Sequence, residues 1–195
     1  MRNRTLANAQ TAAEVLSFFK SENFTSGNVS NALHRLGRLS CRSLGLSEEP
    51  LLRELVDRAT QSIEHDPVHW LSKGLSNVVW AVCRIGLDAP DLFRAVEKVA
   101  VQKMHHFSPQ ELSNVSWAFA KAGFPSPPLF DAVASAAPKK IEHFGQADLS
   151  LIAWAFATAG VSQKPQLFDA VAAEALRKIG KFNSHSLANL IWAFA

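Results

Sequence analysis

Apolar residues recur three and four positions apart along this chain, and the whole pattern repeats after 37 or 38 residues. The stretch Phe107–Gly123, FSPQELSNVSWAFAKAG, shows it most clearly. Leu112, Val115, Trp117, Phe119 and Ala122 fall with helical spacing. Ser108 is placed to cap the helix, Pro109 suits its first position, and Glu111 completes an S-x-x-E capping box. Gly123 ends the helix. After the rigid connection FPSPP, the segment LFDAVASAA predicts a second helix, echoed by LFRAVEKVA and LFDAVAAEA. Pro138 is expected to kink or shorten its copy. TAAEVLSFFK reads as the second helix of a still earlier unit.

With the second tryptophan of each copy as origin, Trp80, Trp117, Trp154 and Trp192 stand 37, 37 and 38 residues apart. Ten positions before each stands an aromatic: Trp70, Phe107, Phe144 and Phe182. Five before are Leu75, Leu112, Leu149 and Leu187, and six after are Gly86, Gly123 and Gly160. A degenerate copy precedes them, with His34 at the origin and Phe24 ten before it. Its extra length fits loops around CRSLGLSEE and EHDPVH.

A hairpin of this size cannot bury its apolar faces alone, whereas stacked copies can. The expected fold is therefore all-α, an α-solenoid of helical hairpins. Residues 1–23 form a lead with a partial repeat helix, and residues 24–195 the repeat domain, with units starting near 24, 70, 107, 144 and 182. The last unit is expected to be truncated, because IWAFA stops where earlier copies continue. The four repeated tryptophans are expected to pack between helices; the alternative is an exposed platform for stacking bases.

Composition narrows the function classes. Nearly half the residues are hydrophobic and a fifth charged, which excludes a disordered tail. No apolar run is long enough to span a bilayer. Cys41 and Cys83 have no C-x-x-C partner or zinc-like histidine pair, so neither a disulfide framework nor a metal knuckle is expected. The formal charge of +3 is a weak pointer to a polyanion.

With the apolar positions removed from the first helix, a polar stripe is left at seven and three before the origin and one and four after it. Three before are Asn31, Asn77, Asn114, Leu151 and Asn189. Four after are Arg38, Arg84, Lys121 and Thr158. Seven before are Gly27, Lys73, Gln110, Ala147 and His185, and Arg35 is the exception among small alanines at one after. Arg and Lys neutralise phosphates, and Asn and Gln pair with base edges. One helical repeat facing one unstacked base is an established mode of RNA recognition. The candidate RNA-binding set is thus Asn31, Arg35, Arg38, Lys73, Asn77, Arg84, Gln110, Asn114, Lys121, His185 and Asn189. Two other readings stand beside it: asparagines that satisfy buried backbone groups between repeats, and cations that are solvated helix ends. Lys103, Lys140 and Lys178, at the end of the second helices, read as complements of the helix dipole.

Catalytic readings find little support. There is no glycine-rich phosphate loop and no G-x-S-x-G elbow. His105, His106 and His143 have no Cys or carboxylate at metal-ligand spacing, and EHDPVH reads as a turn. No enzyme activity, cofactor, metal or small-molecule substrate is expected.

The period and the ELSNVSWAFAKAG core resemble the octotricopeptide repeat family and its relatives. Among these are the helical repeats of FAST-kinase-domain proteins and of the repeat subunit of the RNA-editing substrate-binding complex. Tetratricopeptide repeats fit worse, lacking W-x-x-L-G-x-x-Y. The resemblance implies a single-stranded RNA binder in mitochondria, or alternatively plastids, serving RNA processing, stability or translation beside other RNA-processing proteins. The rival expectation is a protein-interaction scaffold of HEAT-like character, favoured by near-neutral charge and many small alanines.

Overall fold

The structure is a computed structural model and describes residues 8–18, 25–39, 49–124 and 126–195. Phe24, Cys41 and most of the CRSLGLSEE loop fall outside these. The described residues form α1 (Ala12–Ser17), α2 (Ser26–Arg38), α3 (Glu49–His65), α4 (Ser72–Ile85), α5 (Pro90–Lys103), α6 (Pro109–Lys121), α7 (Pro127–Ala136), α8 (Gln146–Thr158), α9 (Pro165–Arg177) and α10 (Ser184–Phe194). Short 3₁₀ turns follow α3, α5, α7 and α9, and no strand occurs among the described residues.

The expected boundary chemistry is present. Ser108 N donates to Glu111 Oε2 at 2.9 Å and Glu111 N to Ser108 Oγ at 3.4 Å, a complete capping box. Gly86, Gly123 and Gly160 adopt φ of 82°, 63° and 69°, the left-handed conformation that lets each chain leave its first helix without Cβ strain. Pro138 shortens its copy as expected. α7 has 10 residues against 14 in α5 and 13 in α9, and the chain continues as a 3₁₀ turn over Pro138–His143.

The chain divides into two units, residues 1–99 and 100–195, the division falling within α5. In the first unit α2 packs along α4 and also against α1 and α3. Leu33 and Leu36 of α2 and Leu75, Val78, Val79 and Val82 of α4 are buried. A Cβ on Gly37 would lie 2.9 Å from Ala81 Cα and 3.0 Å from Trp80 Cζ3, so this glycine permits the close approach of α2 and α4. In the second unit the first helices stack in series, α6 on α8 and α8 on α10. Phe119, Phe130, Phe144 and Phe156 are fully buried there. The rings of Phe130 and Phe156 meet edge to face at 5.0 Å. Each unit is thus all-α with the helix-on-helix stacking of an α-solenoid.

Serines join one first helix to the next within each unit. Ser30 Oγ donates to Gly74 O at 3.5 Å, Ser113 Oγ to Asp148 O at 3.0 Å, and Ser150 Oγ to Ser186 O at 2.7 Å. Each donor lies four before its origin, and each acceptor six before the origin of the following repeat. The hydroxyls are buried, so these bonds are shielded from water. Two of the basic residues read as dipole complements also do something more specific. Lys140 Nζ donates to His105 O and Phe107 O at 3.1 and 2.8 Å, and Lys178 Nζ to Glu142 O and Phe144 O, both at 2.7 Å. Each amine thereby binds carbonyls on both sides of the join between the preceding repeat and its own, where a 3₁₀ turn ends.

Candidate nucleic-acid interface

On every first helix the positions seven and three before the origin, the origin itself, and four after it follow each other by four, three and four residues and share one face. That face is the open one. On α2, Gly27, Asn31 and Arg38 are exposed and His34 half-buried; on α4, Lys73 and Arg84 are exposed, Trp80 is half-buried and Asn77 retains 8% exposure. On α6, Gln110 and Lys121 are exposed, with Asn114 and Trp117 half-buried between them. On α10, His185 is exposed and Asn189 half-buried, and Asn189 Nδ2 lies 3.3 Å from His185 Nε2. On α8 the same positions hold Ala147, Leu151, Trp154 and Thr158, a ring with neither amide nor cation.

The structure brings part of the candidate set together. Asn31, Lys73 and Asn77 line a cavity of about 280 Å³ between α2 and α4, whose wall also includes Ser30, His69, Trp70 and Gly74. Arg84 lies over the Trp80 ring, its Cζ 5.8 Å from the centroid, a cation–π contact. Arg35 is engaged elsewhere: Nε and Nη2 donate to Ala9 O at 2.8 and 2.5 Å, tying the segment before α1 to α2. Burial, then the charges of Arg38 and Lys73, pushes the pKa of His34 down, so its ring is neutral at pH 7.

The tryptophans differ from the expectation that they pack away between helices. Trp80, Trp117 and Trp154 are half-buried and Trp192 is 55% exposed, whereas Trp70, ten before Trp80, is 1% exposed. Helical geometry explains the difference: the origin shares the polar stripe's face, and neighbouring rings cover it only in part. His34 and Trp80 meet at 5.2 Å, and Trp154 and Trp192 at 6.4 Å.

Acidic residues, though not basic ones, are segregated between helix types, a signal present in the sequence but spread too widely to show in any one motif. α2, α4 and α10 contain no acid. The acids of α6 and α8, Glu111 and Asp148, are turned to their own N-termini, Glu111 accepting from Ser108 N and Asp148 from Gly145 N at 3.1 Å. Burial pushes the pKa of Asp148 up, against the pull of the Gly145 N–H and Lys178. The second helices hold Glu49, Glu54, Asp57, Glu64, Asp91, Glu97, Asp131, Asp169 and Glu174. An open face with cations, amides and rings but no free carboxylate suits a polyanion.

The EHDPVH segment completes α3 and a 3₁₀ turn, where His69 Nδ1 lies 2.7 Å from Asp66 Oδ2 on the exposed surface. Among the described residues no group of three or more His, Cys, Asp or Glu is arranged to hold a metal ion, and no helix is long and apolar enough to cross a membrane.

No curated protein matches the chain. A family model described as RNA-editing substrate-binding complex 6 protein matches residues 2–195, nearly the whole sequence, and the chain belongs to that family.

Proposed function

We propose that this chain is a non-catalytic, single-stranded RNA-binding helical-repeat array that works within a mitochondrial RNA-editing substrate-binding complex. The observation that carries this reading is the acid-free open stripe, in which amides and cations recur at fixed positions on successive first helices. The family description, with its RNA-editing substrate-binding complex, supports the RNA as ligand and the complex as setting. The likeness of the repeat to octotricopeptide arrays points the same way. Arg38, Arg84 and Lys121 engage phosphates, while Asn31, Asn77, Asn114 and Asn189 reach base edges. Gln110 and His185 differ between repeats, as a residue that discriminates bases must.

Fluorescence anisotropy against a random single-stranded RNA pool at several salt concentrations tests this. Binding should fall steeply with salt, and the triple substitution Arg38→Ala, Arg84→Ala, Lys121→Ala should reduce the slope of log affinity against log salt by about 2. An unchanged slope would show that these cations do not meet phosphate. A second reading, a scaffold for protein subunits, draws on the near-neutral charge and the many small alanines. A folded, helical sample that leaves RNA unbound at low salt would shift the assignment there.

A further inference from the structure

The phosphate and base-edge contacts proposed above leave unassigned the rings that stand between them. On α6, Trp117 lies three residues after Asn114 and four before Lys121 on the same open face. On α4, Trp80 has the same relation to Asn77 and Arg84. Trp70, Phe107, Phe119, Phe130, Phe144 and Phe156 are fully enclosed, whereas Phe124, Phe168 and Phe182 are half-buried and Phe194 is 46% exposed. The origin is the repeat position at which every copy keeps an aromatic ring only partly covered and on the same face as the polar stripe. A purely apolar filler at a half-open site needs no indole, and a ring left among cations and amides matches the composition of sites that bind single strands by stacking.

Resting on the RNA-binding reading, we propose that Trp117 and Trp80 are base-stacking residues. One first helix then serves one nucleotide: the indole face takes the base, the asparagine its edge, and the Lys or Arg the adjacent phosphate. Stacking accepts any base, so this part of the contact supplies affinity without sequence preference. At Trp80 the Arg84 guanidinium and the His34 ring already lie 5.8 and 5.2 Å from the ring centroid, so a base takes the part of the indole that these leave exposed. Trp154 keeps the ring but has Leu151 and Thr158 beside it, so α8 stacks without either polar contact. The ring contacts His34–Trp80 and Trp154–Trp192 show that these side chains also pack on one another. A test must therefore separate stacking from structure.

The probes are a short fluorescent oligoadenylate and an abasic oligoribose phosphate of the same length, bound to the full chain. Trp117→Leu should weaken oligoadenylate binding about 10-fold, while Trp117→Phe, which keeps a ring, stays within about 3-fold of the parent. Neither substitution should alter binding to the abasic strand. A second readout needs no variant: oligoadenylate should quench the intrinsic tryptophan fluorescence and the abasic strand should not, with enclosed Trp70 supplying the unquenched remainder. If oligoadenylate binds without quenching, or binds Trp117→Leu as tightly as the parent, the stacking assignment is overturned while RNA binding stands. If neither strand binds at low salt, the RNA-binding reading falls and the stacking assignment with it.

Discussion

Glu174 shows how a single residue fixes the join between repeats. The residue is 7% exposed, and its carboxylate accepts from Arg177 Nε at 2.8 Å and Nη2 at 2.6 Å and meets Lys178 Nζ at 2.6 Å. Lys178 spends its remaining donors on Glu142 O and Phe144 O, so all three N–H groups are directed. The bonds from Arg177, then those from Lys178, hold the Glu174 pKa down to about 2 from 4.5. A carboxylate with a lowered folded-state pKa stabilises fully above its unfolded value and loses that contribution as pH falls through the folded one. Glu174→Gln should therefore be less stable than the parent at neutral pH, with the gap closing as pH falls from 4.5 towards about 2. Chemical denaturation at a series of pH values measures this, and a gap independent of pH would remove the carboxylate from the account.

Between elements, the serine bonds make a sharper claim than packing alone. Ser150 Oγ lies between Gln146 O at 2.9 Å, on its own helix, and Ser186 O at 2.7 Å, on α10. Ser150→Ala should cost about 1 kcal/mol of stability, whereas Asn114→Ala, on the open stripe, should cost under about 0.5 kcal/mol and lower RNA affinity instead. The reverse order in thermal unfolding would return the asparagines to the structural role that the sequence left open for them. Helix boundaries were legible because they are written locally: Ser108, Pro109, Glu111 and Gly123 carry their own geometry. Which polar residue turns to its neighbour was not. Ser113 and Asn114 are adjacent in the chain, and about 100° of helix rotation decides that one is buried against α8 and the other half open. The exposure of Trp80 was hidden for a related reason, since it depends on Gly37 of another repeat. Lys140 and Lys178 reach back more than thirty residues to carbonyls that no local window contains.

At the scale of the molecule, a formal charge of +3 is too small to distinguish a polyanion binder, and what matters is where the charges lie. The open faces of the first helices carry cations and amides without a free carboxylate, whereas the second helices carry carboxylates beside cations of their own, as in Glu49–Arg53, Glu54–Arg58 and Asp91–Arg94. Within residues 100–195, α6 carries the full set, α10 carries His185, Asn189 and Trp192, and α8 between them carries the ring alone. If a strand runs across these three helices, α8 is where it crosses without a phosphate contact. Thr158→Arg places a cation four after Trp154, matching Arg84 and Lys121, and should steepen the salt slope by about 0.7 and tighten binding at low salt. Asp169→Asn, on the second helix α9, raises the net charge by the same amount away from the stripe and should change the slope little. Equal responses to the two substitutions would mean that RNA senses overall charge alone. A response to Thr158→Arg alone would mark α8 as part of the path and show that the repeat positions, rather than the composition, set the contact with RNA.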